Sequence, residues 1–227
     1  MWRMRKILRD DCLYFFSTRS SNSLLSRIAR SSSSSRLGHG CLGIDFGPAS
    51  IEYAKQRNPD ISRCDFVLGD LRSADFGRPY ELAMMLYGEL NVFAPEEAAS
   101  ILRKAHASLT PGGLLIAEIQ TQDAIEQLGR TEASEYSCES GLFSDLPHHC
   151  QTENKWLDDQ QVAVQVFTVT ETDTGETRAY RSTTKAWSDS ELRALFVRAG
   201  FTEAAPCPQW PCNTDSLALW SARWDTG

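Results

Sequence analysis

No stretch of this 227-residue chain approaches the ~20 consecutive apolar residues that a bilayer-spanning helix needs, so the sequence is read as non-membrane. No Cys-x-x-Cys pair occurs among its seven scattered cysteines (Cys12, Cys41, Cys64, Cys138, Cys150, Cys207, Cys212), and neither a zinc ribbon nor a thioredoxin-like redox site is signalled. An odd set of free thiols suits a reducing cytoplasm, which is the expected location. Glycine is missing from Ser20–Arg36. Basic charge is scarce outside the N-terminus. Residues 1–36 hold eight of the 23 Lys+Arg and two of the 30 acids, which leaves 15 basic and 28 acidic residues in 37–227, a balance of −13. Such a body repels polyphosphate, which argues against nucleic acid as a main ligand and for a small molecule or a basic partner. No internal repeat is visible.

The first 36 residues differ in kind from the rest. They contain ten serines, five of them consecutive (Ser31 to Ser35), and such a tract buries little apolar surface. Residues 1–36 are therefore read as a disordered Arg/Ser-rich leader, a presequence or a replaced start, followed by one domain over 37–227. Within the leader, Leu13-Tyr14-Phe15-Phe16 is a candidate strand or helix fragment.

From Leu37 the pattern is regular. Cys41–Phe46 is a short apolar run ending in an acid and a Gly-Pro break, a buried strand; Pro48 then opens a helix with Ile51 and Ala54 on its apolar stripe. Cys64–Leu68 is a second strand, closed by Gly69-Asp70. Glu81–Tyr87 is apolar on both faces, as a central parallel strand must be. Pro95–Leu109 reads as a helix, Thr110-Pro111-Gly112-Gly113 as a turn, and Leu114–Ile119 as another buried strand. Residues 121–155 show no period. Gln161–Glu171 and Thr177–Ala186 alternate around Asp173-Thr174-Gly175, the pattern of an antiparallel hairpin. Ser188–Ala199 is a helix stopped by Gly200, and Ser216–Trp224 is the last strand.

Asp45 and Asp70 thus close two strands one βα unit apart. Open parallel sheets bind ligands outside the carboxyl ends of their strands, so the two acids are candidates to grip the ribose and the base of a nucleoside. The order of elements and these signposts resemble the class I S-adenosylmethionine-dependent methyltransferases over residues 37–225. Leu42-Gly43-Ile44-Asp45-Phe46 looks like the family's second strand, whose acid holds the ribose hydroxyls. Gly69-Asp70-Leu71-Arg72 is similar to its third-strand motif, whose Asp meets the adenine amino group. Leu86-Tyr87-Gly88-Glu89-Leu90-Asn91 falls where its fourth strand ends beside the methionine part of the cofactor. Leu109–Leu115 looks like its turn into strand five, and Ser190–Phe201 like the helix before its last strand pair.

The resemblance implies an α/β fold with a Rossmann-like, mostly parallel sheet of about seven strands, an antiparallel C-terminal hairpin and an incomplete N-terminal strand. It implies S-adenosylmethionine as cofactor, bound by Asp45, Phe46, Asp70, Leu71, Leu86, Tyr87 and Gly88. A small-molecule methyl acceptor would lie near Glu118 and Gln120, with 121–155 and the hairpin 161–186 as a cap. No fixed catalytic residue and no metal are implied, because methyl transfer from a sulfonium needs positioning more than acid–base help. The family's first strand and glycine-rich loop have no counterpart in Ser20–Arg36, so impaired cofactor binding is expected, with strands two and four left as unpaired edges. A non-catalytic remnant or protein-interaction module is the alternative. A nicotinamide-dependent dehydrogenase is a third reading, disfavoured by the Pro-Gly-Gly turn and the C-terminal hairpin. His148-His149-Cys150 with Cys138 has a faint look of metal ligands but is read as a polar loop. Trp156, Tyr180 and Trp187 are candidates for an aromatic pocket or for packing.

Overall fold

The computed structural model describes residues 12–15 (backbone), 40–57, 64–77, 79–208 and 215–224. It divides into two compact units, residues 1–119 with 189–227, and residues 120–188.

The first unit is built on a seven-stranded sheet. Its strands are β1 (Cys12–Phe15), β2 (Cys41–Asp45), β3 (Cys64–Leu68), β4 (Tyr80–Met85), β5 (Leu109–Gln120), β10 (Glu203–Pro206) and β11 (Leu217–Arg223), in the order β10-β11-β5-β4-β1-β2-β3. The pairs β2–β3, β1–β2, β1–β4 and β4–β5 are parallel, and β10–β11 is antiparallel. The expected mostly parallel sheet with an antiparallel final pair is present. Its order reverses between β1 and β4, and such a switch point is where doubly wound sheets open a crevice for ligands.

Helix α1 (Pro48–Arg57) follows β2, α2 (Pro95–Ala107) follows β4, and α4 (Asp189–Arg198) precedes β10. The core forms where the sequence is continuously apolar: Ile44, Ala83, Met85, Leu115 and Ala117 are inaccessible to solvent, as are Ile101, Leu102 and Phe196 of the helices. Strands covered on both faces have no polar side to present, which is why β4 and β5 lack alternation. Helix α2 starts with Pro95 in its first turn, and Glu97 Oε2 reaches back 3.1 Å to accept from the Ala94 N–H. Ala94 supplies no oxygen, so only that half of a capping box forms.

The expectation of two unpaired mid-sheet edges is corrected by β1. Cys12–Phe15 pairs in parallel with Cys41–Ile44 on one side and with Leu82–Met85 on the other. Four residues suffice to close the ladder, and they come from within the segment read as a leader. The remainder of 1–36, with the disorder expected of it, lies outside the described residues, as does the position a glycine-rich loop would take.

The second unit corrects the reading of 121–155 as irregular, while the antiparallel hairpin read over 161–186 is present and joined to further strands. Helix α3 (Gln122–Arg130) packs on an antiparallel sheet of β6 (Ser134–Cys138), β7 (His148–Leu157), β8 (Val162–Glu171) and β9 (Thr177–Lys185), in that order. Ile125, Ala163 and Ala186 are its buried centre, with Leu128 and Trp156 packed against them. Gly129 allows the close approach of helix to sheet: a Cβ there would lie 3.1 Å from Trp156 Cα and 3.2 Å from Ala163 Cβ. The strand β7 escaped notice because its buried positions are His148, Cys150 and Thr152, a period of two written in residues that do not read as apolar. His148-His149-Cys150 is therefore strand, not loop.

Candidate functional site

Parallel pairing places the ends of β1 to β5 along one edge of the sheet. Asp45 stands opposite Leu68 in the ladder, and Met85 stands opposite both Phe15 and Ala117. The residues that follow these ends, Gly69-Asp70 and Leu86-Tyr87-Gly88, and Glu118 beside them, share that edge. Among the described residues of this unit, all the expected cofactor residues gather there.

Asp45 is the last residue of β2, and its carboxyl side chain is buried (1% exposed). Oδ1 accepts the Gly47 N–H at 2.7 Å, which fixes the rotamer just before α1 begins at Pro48. Phe46 beside it is half exposed (53%), an apolar ring standing in solvent at the strand ends. Such exposure of a large ring next to a buried carboxylate suits a planar heterocycle.

Asp70 is held differently. Its carboxylate is forked by Arg72, whose Nε lies 3.0 Å from Oδ1 and 2.9 Å from Oδ2, and the Arg72 backbone N–H donates to Oδ1 at 2.9 Å. Arg72 also reaches Glu97 at 3.1 Å. The Arg72 hydrogen bond holds the Asp70 carboxyl below its ordinary range, against the opposing effect of partial burial. Arg72 Nη2 also donates to Oδ2, so three Arg72 hydrogens take three of the carboxylate's roughly four lone-pair sites and leave one for another donor. Leu71 is buried, and its carbonyl accepts from Lys104 Nζ at 2.6 Å. The same ammonium donates to Ala74 O at 2.8 Å and sits 4.4 Å over the Phe76 ring, tying the loop after β3 to α2.

At the end of β4 the backbone turns left-handed twice, at Tyr87 (φ 63°) and Gly88 (φ 75°). A non-glycine residue there is strained, and the surroundings hold it: Glu118 Oε2 accepts the Tyr87 N–H at 2.8 Å, and Glu118 O accepts the Gly88 N–H at 3.0 Å. Leu86 points its side chain into the core cluster with Met84 and Ile116, leaving its backbone as its contribution to the edge. A single 3₁₀ turn, Glu89–Val92, follows, with Glu89, Leu90 and Asn91 buried. Glu118, expected to face a substrate, has its carboxylate on the Tyr87 N–H and is 4% exposed. Gln120 is half-buried at the very end of β5.

The polar partners beyond the expected site residues are Arg72, Glu97 and Lys104, and Glu89 and Asn91 are buried beside them in the chain. Arg72 was within reach of inference, two residues from Asp70; the Lys104 contact spans thirty-odd positions and had no local signal. In the second unit, Trp156 packs on the Ile125 cluster, Tyr180 stacks on Phe143 at 5.1 Å, and Trp187 is buried with Lys185 over its ring. No group of three or more His, Cys, Asp or Glu among the described residues is arranged to hold a metal ion. No helix among them is long and apolar enough to cross a membrane.

Sheet order and switch point define a doubly wound α/β fold, with two acids at adjacent strand ends. The family profile described as a methyltransferase domain matches residues 26–113. The chain's fold is that of the class I S-adenosylmethionine-dependent methyltransferases. An S-adenosylmethionine-dependent methyltransferase from Clostridium acetobutylicum aligns over 98% of this chain and 87% of its own, with TM-score 0.66 at 10% identity. CalS10, an amino pentose methyltransferase from Micromonospora echinaspora, aligns over 98% and 87% with TM-score 0.62 at 16% identity. The sugar N-methyltransferase KedS8 from Streptoalloteichus aligns over 98% and 84% with TM-score 0.65 at 13% identity. No curated protein matches the sequence.

Proposed function

We propose that this chain is an S-adenosylmethionine-dependent methyltransferase acting on a small molecule. The observation that carries the reading is the pairing of Asp45 and Asp70 at adjacent strand ends beside the β1/β4 switch point. The donor set fits the group. Ribose hydroxyls and the adenine amino group donate hydrogen bonds, and carboxylates only accept them. Asp45 would hold the ribose, Asp70 the amino group through the one lone pair that Arg72 leaves open, and Phe46 and Leu71 would flank the base. Tyr87 and Gly88 would border the methionine part, where a left-handed turn brings backbone rather than side chain forward.

When bound, the cofactor supplies a methyl group on a positively charged sulfur that is already a good leaving group. What the protein adds is in-line placement of the acceptor and exclusion of water. Glu118 acts by position: it fixes the Tyr87–Gly88 turn. That two of the structural neighbours are by name sugar methyltransferases supports a polar small-molecule acceptor for this chain as well, without identifying it.

The non-catalytic alternative rests on one feature, the absence of glycine from Ser20–Arg36. Calorimetric titration of the full chain with S-adenosylmethionine separates the two. The methyltransferase reading expects saturable heat at one site per chain; no heat at millimolar ligand would leave the remnant reading standing.

A further inference from the structure

The second unit contains a pair of side chains that the methyltransferase reading does not use. Cys138, the last residue of β6, faces His148, the first residue of β7, directly across the antiparallel ladder. Its Sγ lies 3.3 Å from His148 Nε2. The other ring nitrogen, Nδ1, lies 2.7 Å from the Leu146 carbonyl oxygen. A carbonyl can only accept, so Nδ1 carries the hydrogen and Nε2 presents its lone pair to the thiol. His148 is fully buried and cannot swing away, whereas Cys138 is partly exposed. Gly141 keeps one side of the sulfur open: a Cβ at that position would stand 3.4 Å from Sγ.

A nucleophile in reach of a base, with the base oriented by a third group, is the arrangement that activates thiols. The other cysteines whose side chains are described are placed differently. Cys41, Cys64 and Cys150 are buried, and Cys207 Sγ donates to the Ser221 hydroxyl at 3.2 Å, which is no base.

The geometry points to Cys138 and His148 as a thiol–imidazole dyad that reacts with hydrogen peroxide, making Cys138 an oxidation site. The Cys138 S–H proton passes to His148 Nε2, and the thiolate attacks one peroxide oxygen. The S–O bond forms as the O–O bond breaks, and the departing hydroxide takes the proton from Nε2 and leaves as water. Sulfur is oxidised by two electrons to the sulfenic acid, the peroxide is reduced by two, and the imidazole returns to its starting state.

The test exposes the full chain to hydrogen peroxide, traps sulfenic acid with dimedone and reads each cysteine-containing peptide by mass spectrometry. Cys138 is expected to label about tenfold faster in the folded than in the urea-unfolded chain, because an unassisted thiol is only a few per cent thiolate near neutral pH. It is also expected to outpace Cys207 in the same sample. In His148→Gln with an unchanged circular dichroism spectrum, the advantage of Cys138 disappears while Cys207 keeps its rate. Equal rates for Cys138 in folded and unfolded chain would overturn the proposal, and so would a folded His148→Gln chain that labels as fast as the parent. Where His148→Gln does not fold, the folded-against-unfolded comparison on the parent chain decides alone.

Discussion

Asp45 and Asp70 show how one residue type takes on different character at two neighbouring strand ends. Asp45 is buried with its rotamer pinned by the Gly47 N–H, so its orientation is set before any ligand arrives. Asp45→Ala removes the proposed acceptor for the ribose and is expected to weaken S-adenosylhomocysteine binding by at least about tenfold, roughly 1.4 kcal/mol, with the circular dichroism spectrum unchanged. Calorimetry checks it, and unchanged affinity would remove Asp45 from the site. Asp70 owes its low pKa first to Arg72. A carboxyl depressed in the folded state stabilises that state above its unfolded pKa, and the contribution is lost as pH falls through the folded value. Arg72→Gln should therefore move the Asp70 titration, followed by NMR, up toward the ordinary carboxylate range and flatten that part of the acid stability profile. Both side chains are more than a third exposed, so the accompanying stability loss near neutrality should be small.

At the scale of elements, what was legible followed the chemistry of burial. The parallel strands β2, β4 and β5 are apolar on both faces; β2 and β4 match their expected ends within a few residues, whereas β5 starts at Leu109, through the Thr110–Gly113 stretch read as a turn, and the acids closing β2 and β3 were read with them. The strands of the second unit were legible only in part. β8 alternates in Val and Ala and was found; β7 buries His148, Cys150 and Thr152 and was not. β1 is four residues long in a polar neighbourhood, and its place in the sheet comes from pairing on both sides, which no local pattern encodes. The contacts of Glu118 with Tyr87 and of Lys104 with Leu71 are likewise products of the fold. The α3–sheet contact offers a direct test of packing. Gly129→Ala improves helix propensity by about 1 kcal/mol. Its Cβ would press on Trp156 backbone at 3.1 Å, and overpacking of that kind costs about 1–3 kcal/mol. Net destabilisation in urea denaturation is expected; a more stable variant would show that the sheet yields.

For the molecule as a whole, the decisive element is the shortest strand. β1 closes the ladder between β2 and β4 and lies at the switch point of the sheet. Removing residues 1–36 would leave two central strands with unpaired edges, which invite pairing between chains. A chain beginning at Leu37 is expected to lose its cooperative thermal transition or to aggregate, whereas one beginning at Asp10 retains β1 and should melt like the full chain. Equal melting of all three would show that the sheet does not depend on β1. The central claim is that the edge formed by β2, β3 and β4 holds one adenosyl ligand, and a crystal structure of the full chain grown with S-adenosylhomocysteine tests it most directly. The account predicts ribose hydroxyls on the Asp45 carboxylate and the adenine amino group on Asp70; ligand density elsewhere, or those two carboxylates facing different crevices, would contradict it.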